Sequence, residues 1–354
     1  MKKSRLLSVL LCLALLSGLL TTFASAADSG SAILDEMDVN AKAAVLVDPD
    51  TGEILYEKNA HAHNYPASIT KVMTCLLTLE AVDRGELSLE QTITASSALH
   101  TGIGEGASTA DIKEGEQIRI IDLLYAALIP SANEACNVMA EAVSGDVASF
   151  VELMNTRAAE LGMEDTHFSN THGYHDDDHY TSAYDIYLMC REAMKHETFR
   201  TIVGSKNYTM PAANLHPEPR IIRSTNALIS NFRVAGYIYE YATGIKTGST
   251  DAAGYCLSAT AERDGMELIA VVLKAKTSEQ RFESAKSLLN FGFANYTLTD
   301  VYPGQALPPV DVLLGEQDTV QPVLAQSSRI LVDKAQLNDV TSELRLCENV
   351  EAPV

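Results

Sequence analysis

Two predicted β-hairpins, one near each end of a helix-rich region, constrain the fold of this chain most. The first is AAVLVDPDTGEILYEKN, in which two β-prone runs flank the turn 49–52. The second is AGYCLSATAERDGMELIAVVLKAK, which turns at 263–265, and the amphipathic segment SEQRFESAKSLLNFGFANY follows it as a closing helix. Strands at both ends with helices between them predict an α+β fold. We expect an antiparallel sheet flanked by helices, with an inserted helical subdomain.

The first 26 residues have the organisation of a secretory signal peptide. Lys2, Lys3 and Arg5 precede an apolar run that ends at Ala24-Ser25-Ala26, an A-x-A cleavage pattern. A membrane-anchoring helix is the alternative, and the small residues at its end favour cleavage. No later segment has the roughly 18 consecutive apolar residues of a membrane span. We therefore expect an exported protein that acts outside the cytoplasm, in the cell envelope or secreted.

The mature chain is strongly acidic, which limits its partners. Removing residues 1–26 changes the formal net charge from −21 to −24, because that segment carries three cations and no anions. Nucleic-acid binding requires clustered Lys and Arg side chains. The sequence therefore predicts no nucleic-acid partner.

We predict a domain boundary at about residue 296, where the composition and the predicted secondary structure of the chain change. Residues 27–295 contain both hairpins and the helices between them, and we expect them to form one domain. Residues 296–354 are strand-prone, punctuated by Pro and Gly, and poor in helix signals. We predict a small C-terminal β domain there, which is incomplete because it stops at CENVEAPV in mid-pattern.

The segment YPASITKVMTCLL combines a buried helix pattern with a charge. Lys71 follows Ser68 by three residues, so the two side chains share one face of a helix. Burying an ammonium group without a partner is costly. An exported serine in the first turn could be a nucleophile with Lys71 as its base, if the lysine pKa falls from about 10.4 towards neutrality. Burial and a second nearby cation both lower a lysine pKa.

Two further patterns supply the cation and the hydroxyl groups that this hypothesis needs. Lys246-Thr247-Gly248 lies at the edge of a predicted strand, where the glycine would let a substrate backbone approach. Ser131-Ala132-Asn133 lies where a proline interrupts two apolar helices. Two more S-x-N triplets occur, at 205–207 and 224–226, but only the first occupies a helix–helix corner. Each pattern alone is weak, and the three in this order are a strong signal.

The order S-x-x-K, S-x-N, K-T-G is the motif set of penicillin-binding proteins and class A β-lactamases. The chain resembles the low-molecular-mass penicillin-binding proteins that act as serine-type D-alanyl-D-alanine carboxypeptidases, peptidase family S11. The likeness runs from about Ala41 to Tyr296 and continues into a C-terminal β domain. It implies the penicillin-binding/β-lactamase-like transpeptidase fold, peptidoglycan stem peptides as substrates, β-lactam antibiotics as inhibitors, and no cofactor or metal.

The resemblance also implies which residues carry the chemistry of the acyl-enzyme. Ser68 would be the nucleophile, and Lys71 would take its proton. Ser131 would relay protons, and Asn133 would hold the substrate amide. The backbone N–H groups of Ser68 and Ser249 would form the oxyanion hole.

A second set of residues would bind the terminal carboxylate of the substrate. By the same resemblance, Lys246 and Thr247 would bind it, and Arg281 would assist. The chain departs from the family at Ala132, where glycine or aspartate is usual, and at Ser249, where many relatives carry an aromatic residue or histidine. It also lacks the amphipathic C-terminal helix that anchors many relatives, so association with the membrane surface or cell wall stays open.

Four alternatives remain beside the carboxypeptidase hypothesis. A β-lactamase would need a deacylating Glu in an E-x-x-x-N pattern, and Glu152 with Asn155 has the wrong spacing. The histidines and aspartates of 172–180 would suit a zinc peptidase, although a solvated polar loop is the commoner meaning of such a run. The same fold could act as a D,D-endopeptidase or transpeptidase. A catalytically silent penicillin-binding scaffold is the fourth alternative.

Overall fold

The protein is described by a computed structural model that covers residues 39–300, 307–323, 329–341, 343 and 345–351. The predicted signal peptide, residues 1–26, lies outside the described residues. Within the described part of the chain, every helix falls short of the length and apolarity that crossing a bilayer requires.

Fourteen strands occur in the described residues. In chain order they are β1 Ala43–Val47, β2 Ile54–Lys58, β3 Thr92–Thr94, β4 Gln117–Arg119, β5 Asn207–Met210, β6 Arg220–Arg223, β7 Ala242–Thr250, β8 Gly254–Arg263, β9 Met266–Ala275, β10 Tyr296–Asp300, β11 Val310–Leu313, β12 Thr319–Val320, β13 Arg329–Asp333 and β14 Asn349–Glu351.

Seven α-helices and three 3₁₀ turns accompany these strands in the same residues. The helices are α1 Lys71–Asp83, α2 Ile120–Leu128, α3 Asn133–Ser144, α4 Val147–Glu160, α5 Ala183–Ala193, α6 Glu197–Val203 and α7 Ser278–Asn295. The 3₁₀ turns are Ala67–Thr70, Ser97–His100 and Lys334–Asp339.

The central sheet has five antiparallel strands in the order β2-β1-β9-β8-β7, so the first hairpin joins the second through β1 and β9. Both predicted hairpins are confirmed. The first turn forms because the Asp48 carboxylate accepts the backbone N–H groups of Asp50 and Thr51, at 3.1 and 2.7 Å. Every residue of β1 is buried, as expected for a strand covered by helices on both faces.

Helices cover the sheet and form the inserted subdomain. The closing helix α7 packs on β8 and β9, and α5 packs on β1 and β9. The subdomain centres on α1, which contacts α2, α3 and α5. Ten of its thirteen residues are buried, and each fully buried Leu, Val or Met contributes about 1.5–3 kcal/mol to the free energy of folding. This buried helix is the rigid base on which the Ser68 turn rests.

The predicted α+β architecture is confirmed, with additions. Two small two-stranded antiparallel sheets, β3–β4 and β5–β6, were not predicted. Beyond α7 the chain is strand-rich, with β10 pairing β13 and β11 pairing both β12 and β14. Strand β10 begins at Tyr296, where the sequence predicted a domain boundary. The division of the chain into two domains stays a prediction.

Candidate active site

Ser68 lies in the 3₁₀ turn Ala67–Thr70, one turn before the α-helix that begins at Lys71. The sequence predicted it in the first α-helical turn. Ala67 has a φ of +47°, a conformation that an α-helix excludes, so the chain enters the helix through the tighter turn. In a 3₁₀ turn the side chains at i and i+3 eclipse each other. The difference therefore sets Lys71 directly over Ser68.

Two glycines allow distant segments to approach the Ser68 turn closely. A Cβ atom on Gly248 would lie 2.7 Å from the Pro66 carbonyl oxygen and 3.1 Å from the Ser68 nitrogen. A Cβ atom on Gly173, whose φ is +80°, would clash with the Ala67 carbonyl oxygen. The glycine of K-T-G was expected to admit a substrate backbone. The structure gives it another function, because it lets β7 pack against the nucleophile turn.

Lys71 is completely buried and contacts the proposed nucleophile. Its Nζ atom lies 2.9 Å from Ser68 Oγ and donates a 2.6 Å hydrogen bond to the carbonyl oxygen of His172. Burial lowers the pKa of Lys71 to about 8, while the nearby Cys136 and Glu134 oppose that shift. A substantial fraction of the amine is therefore neutral near pH 8, as a proton acceptor for a serine must be.

Lys246 is the second buried cation that the sequence predicted. It is 1% exposed, and its Nζ donates to the carbonyl oxygen of Thr247 at 2.9 Å. Burial lowers its pKa well below the ordinary value, and the charges of Lys71 and Arg281 lower it further. The expected effect between the two lysines is thus seen on Lys246. For Lys71 the dominant cause is burial.

The corner between α2 and α3 presents Ser131 and Asn133. Ser131 has a φ of +75°, which for a residue other than glycine costs about 1–3 kcal/mol and is commonly found at functional sites. Its Oγ is buried and has no hydrogen-bond partner among the described residues. The backbone N–H of Asn133 donates to the Ser108 carbonyl oxygen at 2.9 Å. The hydroxyl of Ser131 is therefore available for proton transfer.

A cleft of about 510 Å³ opens over these residues. Ser68, Asn133 and Ser249 line it, together with residues 105–108, 173–175 and 250–252. Lys71, Ser131, Lys246 and Thr247 are buried and do not belong to this lining. The cleft thus brings three of the predicted residues to its surface, and the structure places Lys71 directly behind Ser68.

Thr225 is a residue of the site that the sequence did not indicate. Its hydroxyl lies 2.6 Å from the Thr247 hydroxyl, and its backbone N–H donates to the Ile129 carbonyl oxygen at 3.2 Å. It therefore joins the α2–α3 corner to the K-T-G strand. Thr225 belongs to one of the S-x-N triplets set aside in the sequence. That triplet was the only sequence signal for Thr225. We considered the triplet only as a candidate S-x-N motif and not as a source of a supporting hydroxyl.

A family model described as D-alanyl-D-alanine carboxypeptidase, Peptidase_S11, matches residues 29–277. This match spans most of the chain and includes all three motifs. The chain belongs to this family. The resemblance inferred from the motifs is therefore confirmed.

Individual relatives and solved structures agree with the assignment over most of their length. D-alanyl-D-alanine carboxypeptidase DacF of Bacillus subtilis (strain 168) is 34% identical over 99% of this chain and 87% of its own. Penicillin-binding protein 5 of Haemophilus influenzae aligns with a TM-score of 0.74 at 28% identity, covering 89% of both chains. The Streptomyces K15 DD-transpeptidase aligns with a TM-score of 0.66 at 30% identity, covering 72% of this chain and 98% of its own. The predicted fold is thereby confirmed.

Arg281, the predicted carboxylate-binding residue on α7, lies behind β7 in this S11 fold. Its guanidinium donates to the carbonyl oxygens of Gly248 and Cys256, at 3.2 and 3.4 Å. Burial lowers its pKa to about 10, and no carboxylate pairs with it among the described residues. It is not part of the cleft lining. Its assistance to carboxylate binding stays a prediction, and its observed contacts fix the strand that carries Gly248.

The His-rich segment 172–180 forms a support for the nucleophile turn. The carbonyl oxygen of His172 holds Lys71, and His179 Nε2 lies 2.7 Å from Thr70 Oγ1 while its Nδ1 accepts from the Ser169 N–H. Burial lowers the pKa of His172 to about 4 and that of His179 to about 3, so both rings are neutral near pH 7. Over the described residues, no three His, Cys, Asp or Glu side chains converge as a metal site would require. The geometry favours a structural loop.

Thr225→Val should weaken substrate recognition. Valine keeps the shape of threonine but leaves the buried Thr247 hydroxyl without this partner, which costs about 1–3 kcal/mol. We expect a loss of about 10-fold in the second-order acylation constant with a labelled penicillin. Thr243→Val is the matched control. Thr243 lies on β7, the strand that also carries Thr247, and its hydroxyl makes a similar 2.8 Å hydrogen bond to the Thr260 hydroxyl on β8. Equal effects of the two variants would refute a role for Thr225 in the site.

Proposed function

We propose that this protein removes the terminal D-alanine from peptidoglycan pentapeptide stems through an acyl-enzyme on Ser68. The observation that carries the proposal is the 2.9 Å contact between Ser68 Oγ and the buried Lys71 amine. A serine is a weak nucleophile until a base accepts its proton, and Lys71 is within reach with a lowered pKa. The names of the relatives support the same reaction.

In the acylation half-reaction, Ser68 Oγ attacks the carbonyl carbon of the bond between the two D-alanines. Its proton passes to Lys71, and the N–H groups of Ser68 and Ser249 stabilise the tetrahedral oxyanion. The C–N bond then breaks, and Ser131 relays a proton to the departing amine. D-Alanine leaves, and Ser68 carries the ester. Water then attacks the ester carbonyl carbon and gives a proton to Lys71. The bond between the acyl carbon and Ser68 Oγ breaks, Ser68 Oγ takes the proton back from Lys71, and the shortened peptide leaves as the free acid.

Substrate orientation falls to the residues around this centre. Asn133, at the surface of the cleft, would hydrogen-bond the substrate amide, and Lys246 with Thr247 would bind the terminal carboxylate. Every step uses side chains and backbone groups of the chain and water. The proposal therefore assigns no cofactor or metal to the reaction.

β-Lactams should acylate Ser68 and leave slowly. A class A β-lactamase uses a glutamate to activate the deacylating water. Here Glu152 is exposed on α4, and Asn155 is engaged in hydrogen bonds with the backbone of Phe168. Neither residue lines the cleft over Ser68. We propose penicillin as a long-lived inhibitor.

The proposed setting is outside the cytoplasm. Residues 1–26 would direct export and be removed, residues 27–295 would form the catalytic domain, and residues 296–354 would belong to a C-terminal β domain. Peptidoglycan lies beyond the cytoplasmic membrane, which agrees with an export signal. Peripheral contact with the membrane or cell wall belongs to the same proposal.

Transfer of the acyl group to an amine is a second candidate. The likeness to a DD-transpeptidase at 30% identity over 72% of this chain favours it. Water and an amine would compete for the same Ser68 ester. The ratio of the tetrapeptide acid to the amide product, measured with an added glycine acceptor, separates the two activities.

The test is incubation with a pentapeptide ending in D-Ala-D-Ala while free D-alanine is measured. We expect release that penicillin abolishes and EDTA leaves unchanged. Inhibition by EDTA but not by penicillin would indicate the zinc peptidase alternative. A folded sample that neither releases D-alanine nor retains labelled penicillin would be a scaffold, and the proposal would be wrong.

A further inference from the structure

Glu134 carries a buried carboxylate next to the cleft. The proposed reaction assigns no role to this carboxylate. Glu134 follows Asn133 directly and is only 5% exposed. Its Oε1 atom accepts from Thr109 Oγ1 at 2.6 Å, from the Ala110 N–H at 2.7 Å and from the Ile112 N–H at 3.4 Å. One side-chain oxygen therefore gathers three donors from a single external segment.

That segment continues into the wall of the cleft. Residues 105–108 line the cleft, and the Ser108 carbonyl oxygen accepts the Asn133 N–H at 2.9 Å. Two adjacent residues at the start of α3 therefore hold this segment by hydrogen bonds. Glu134 contacts residues 109–112, and Asn133 contacts Ser108. If the Glu134 contacts were lost, the wall would keep only the Ser108 contact among these bonds to the start of α3.

We propose that Glu134 is a positioning residue, which fixes the 105–112 wall against α3 and thereby sets Asn133 and the width of the cleft for substrate. This inference rests on the proposed function, because it assumes that the cleft admits the acyl donor to Ser68. Positioning errors of about 1 Å cost up to about 100-fold in rate. A residue that acts through the wall can therefore have a large effect without contacting substrate.

The negative charge of Glu134 has a separate consequence at Lys71. Glu134 raises the pKa of that lysine, against the lowering by burial. The other groups that face Lys71 are the thiols of Cys75 and Cys136, the cation Lys246 and the ring of His172. Removing the Glu134 charge should therefore lower the Lys71 pKa, so that the neutral amine forms at lower pH. The acid limb of the acylation profile then shifts to lower pH.

Two substitutions separate anchoring from charge. Glu134→Gln keeps an oxygen that can accept the three hydrogen bonds but removes the charge. Glu134→Ala removes both. For the Gln variant we expect near-normal acylation at pH 9 and an acid limb displaced to lower pH. For the Ala variant we expect the same displacement and a loss of about 10- to 100-fold in the second-order constant at pH 9, where Lys71 is largely neutral in both proteins.

Glu141 provides the control on the same helix. Its carboxylate accepts from Ser96 Oγ at 2.7 Å, outside the cleft lining. Glu141→Gln and Glu141→Ala should leave the acylation constant and its pH profile unchanged. Thr109→Val is a second probe, because it removes one donor to Glu134 while Glu134 itself remains. It should lower the acylation constant without shifting the profile, which also keeps the proposal testable if Glu134→Ala does not fold.

The measurement is stopped-flow acylation by a chromogenic penicillin from pH 6 to 10, with thermal unfolding as the folding check. A folded Ala variant with normal acylation at pH 9, or a Gln variant that loses as much acylation at pH 9 as the Ala variant, would overturn the inference. Equal losses in the Glu141 variants would also overturn it. Failure of the wild-type protein to be acylated at all would instead refute the proposed function, so the two failures are distinguishable.

Discussion

Ser68→Ala is expected to abolish both D-alanine release and penicillin labelling. The substitution removes the only atom that forms the covalent bond in the proposed mechanism and leaves the Lys71 amine intact behind the turn. Loss of a nucleophile of this kind lowers turnover by about 10⁴- to 10⁶-fold. Free D-alanine is measured against time with the pentapeptide substrate, and labelling with a fluorescent penicillin on a denaturing gel.

The control for this experiment is Ser149→Ala. Ser149 lies exposed on α4, where its hydroxyl donates to the Asp146 carboxylate at 2.8 Å. It does not line the cleft. It should retain full activity. Substantial D-alanine release by a folded Ser68→Ala variant would show that another group is the nucleophile.

Lys71→Arg has the second large expected effect. Arginine keeps the positive charge but cannot lose its proton under these conditions, so it cannot accept the proton of Ser68. General-base catalysis contributes about 10²- to 10⁴-fold, and acylation near neutral pH should fall by that factor. The acylation constant with a chromogenic penicillin measures the loss.

The wild-type pH profile gives an independent measurement of the same base. Lys71 is protonated and inactive below its pKa of about 8, and neutral and active above it. Acylation should therefore rise with pH, with a midpoint near 8. This limb should be absent in Lys71→Arg. Lys58→Arg is the control, because Lys58 also donates to a backbone carbonyl, that of Val39, but lies far from the motifs. A profile that falls through pH 8 would contradict the assignment.

Local sequence signals predicted the frame of the fold well. The hairpin β1–β2 depends on the turn at 49–52, and α2 and α3 end and begin around Pro130, so short-range chemistry decides both. The closing helix α7 was likewise predicted from its periodicity, and its N-cap Thr277 accepts the Gln280 N–H. These elements do not depend on distant partners for their existence.

Features created by distant contacts could not be predicted in the same way. The 3₁₀ turn at Ser68 forms where Gly173 and Gly248, which are far away in sequence, pack against it. The acceptor that holds Lys71 is the backbone carbonyl of His172, a group that every residue possesses and that leaves no sequence signature. Glu134 and Thr225 act through partners that only the folded chain brings near.

The motif residues themselves were predictable because their chemistry is specific in type and order. Ser68, Asn133 and Ser249 reach one cleft, and Lys71 lies against Ser68. The motifs could not predict which of these residues line the cleft and which are buried beside or behind it. Lys246 and Thr247 lie buried beside the cleft, and Arg281 lies behind the strand that carries them.

The most direct test of the central claim is to find the atom that carries the acyl group. The protein is mixed with penicillin, quenched in acid and digested, and the modified peptide is sequenced by mass spectrometry. We predict one adduct per chain on Ser68, formed faster at pH 9 than at pH 7. An adduct on any other residue, or no adduct on correctly folded protein, would contradict the account.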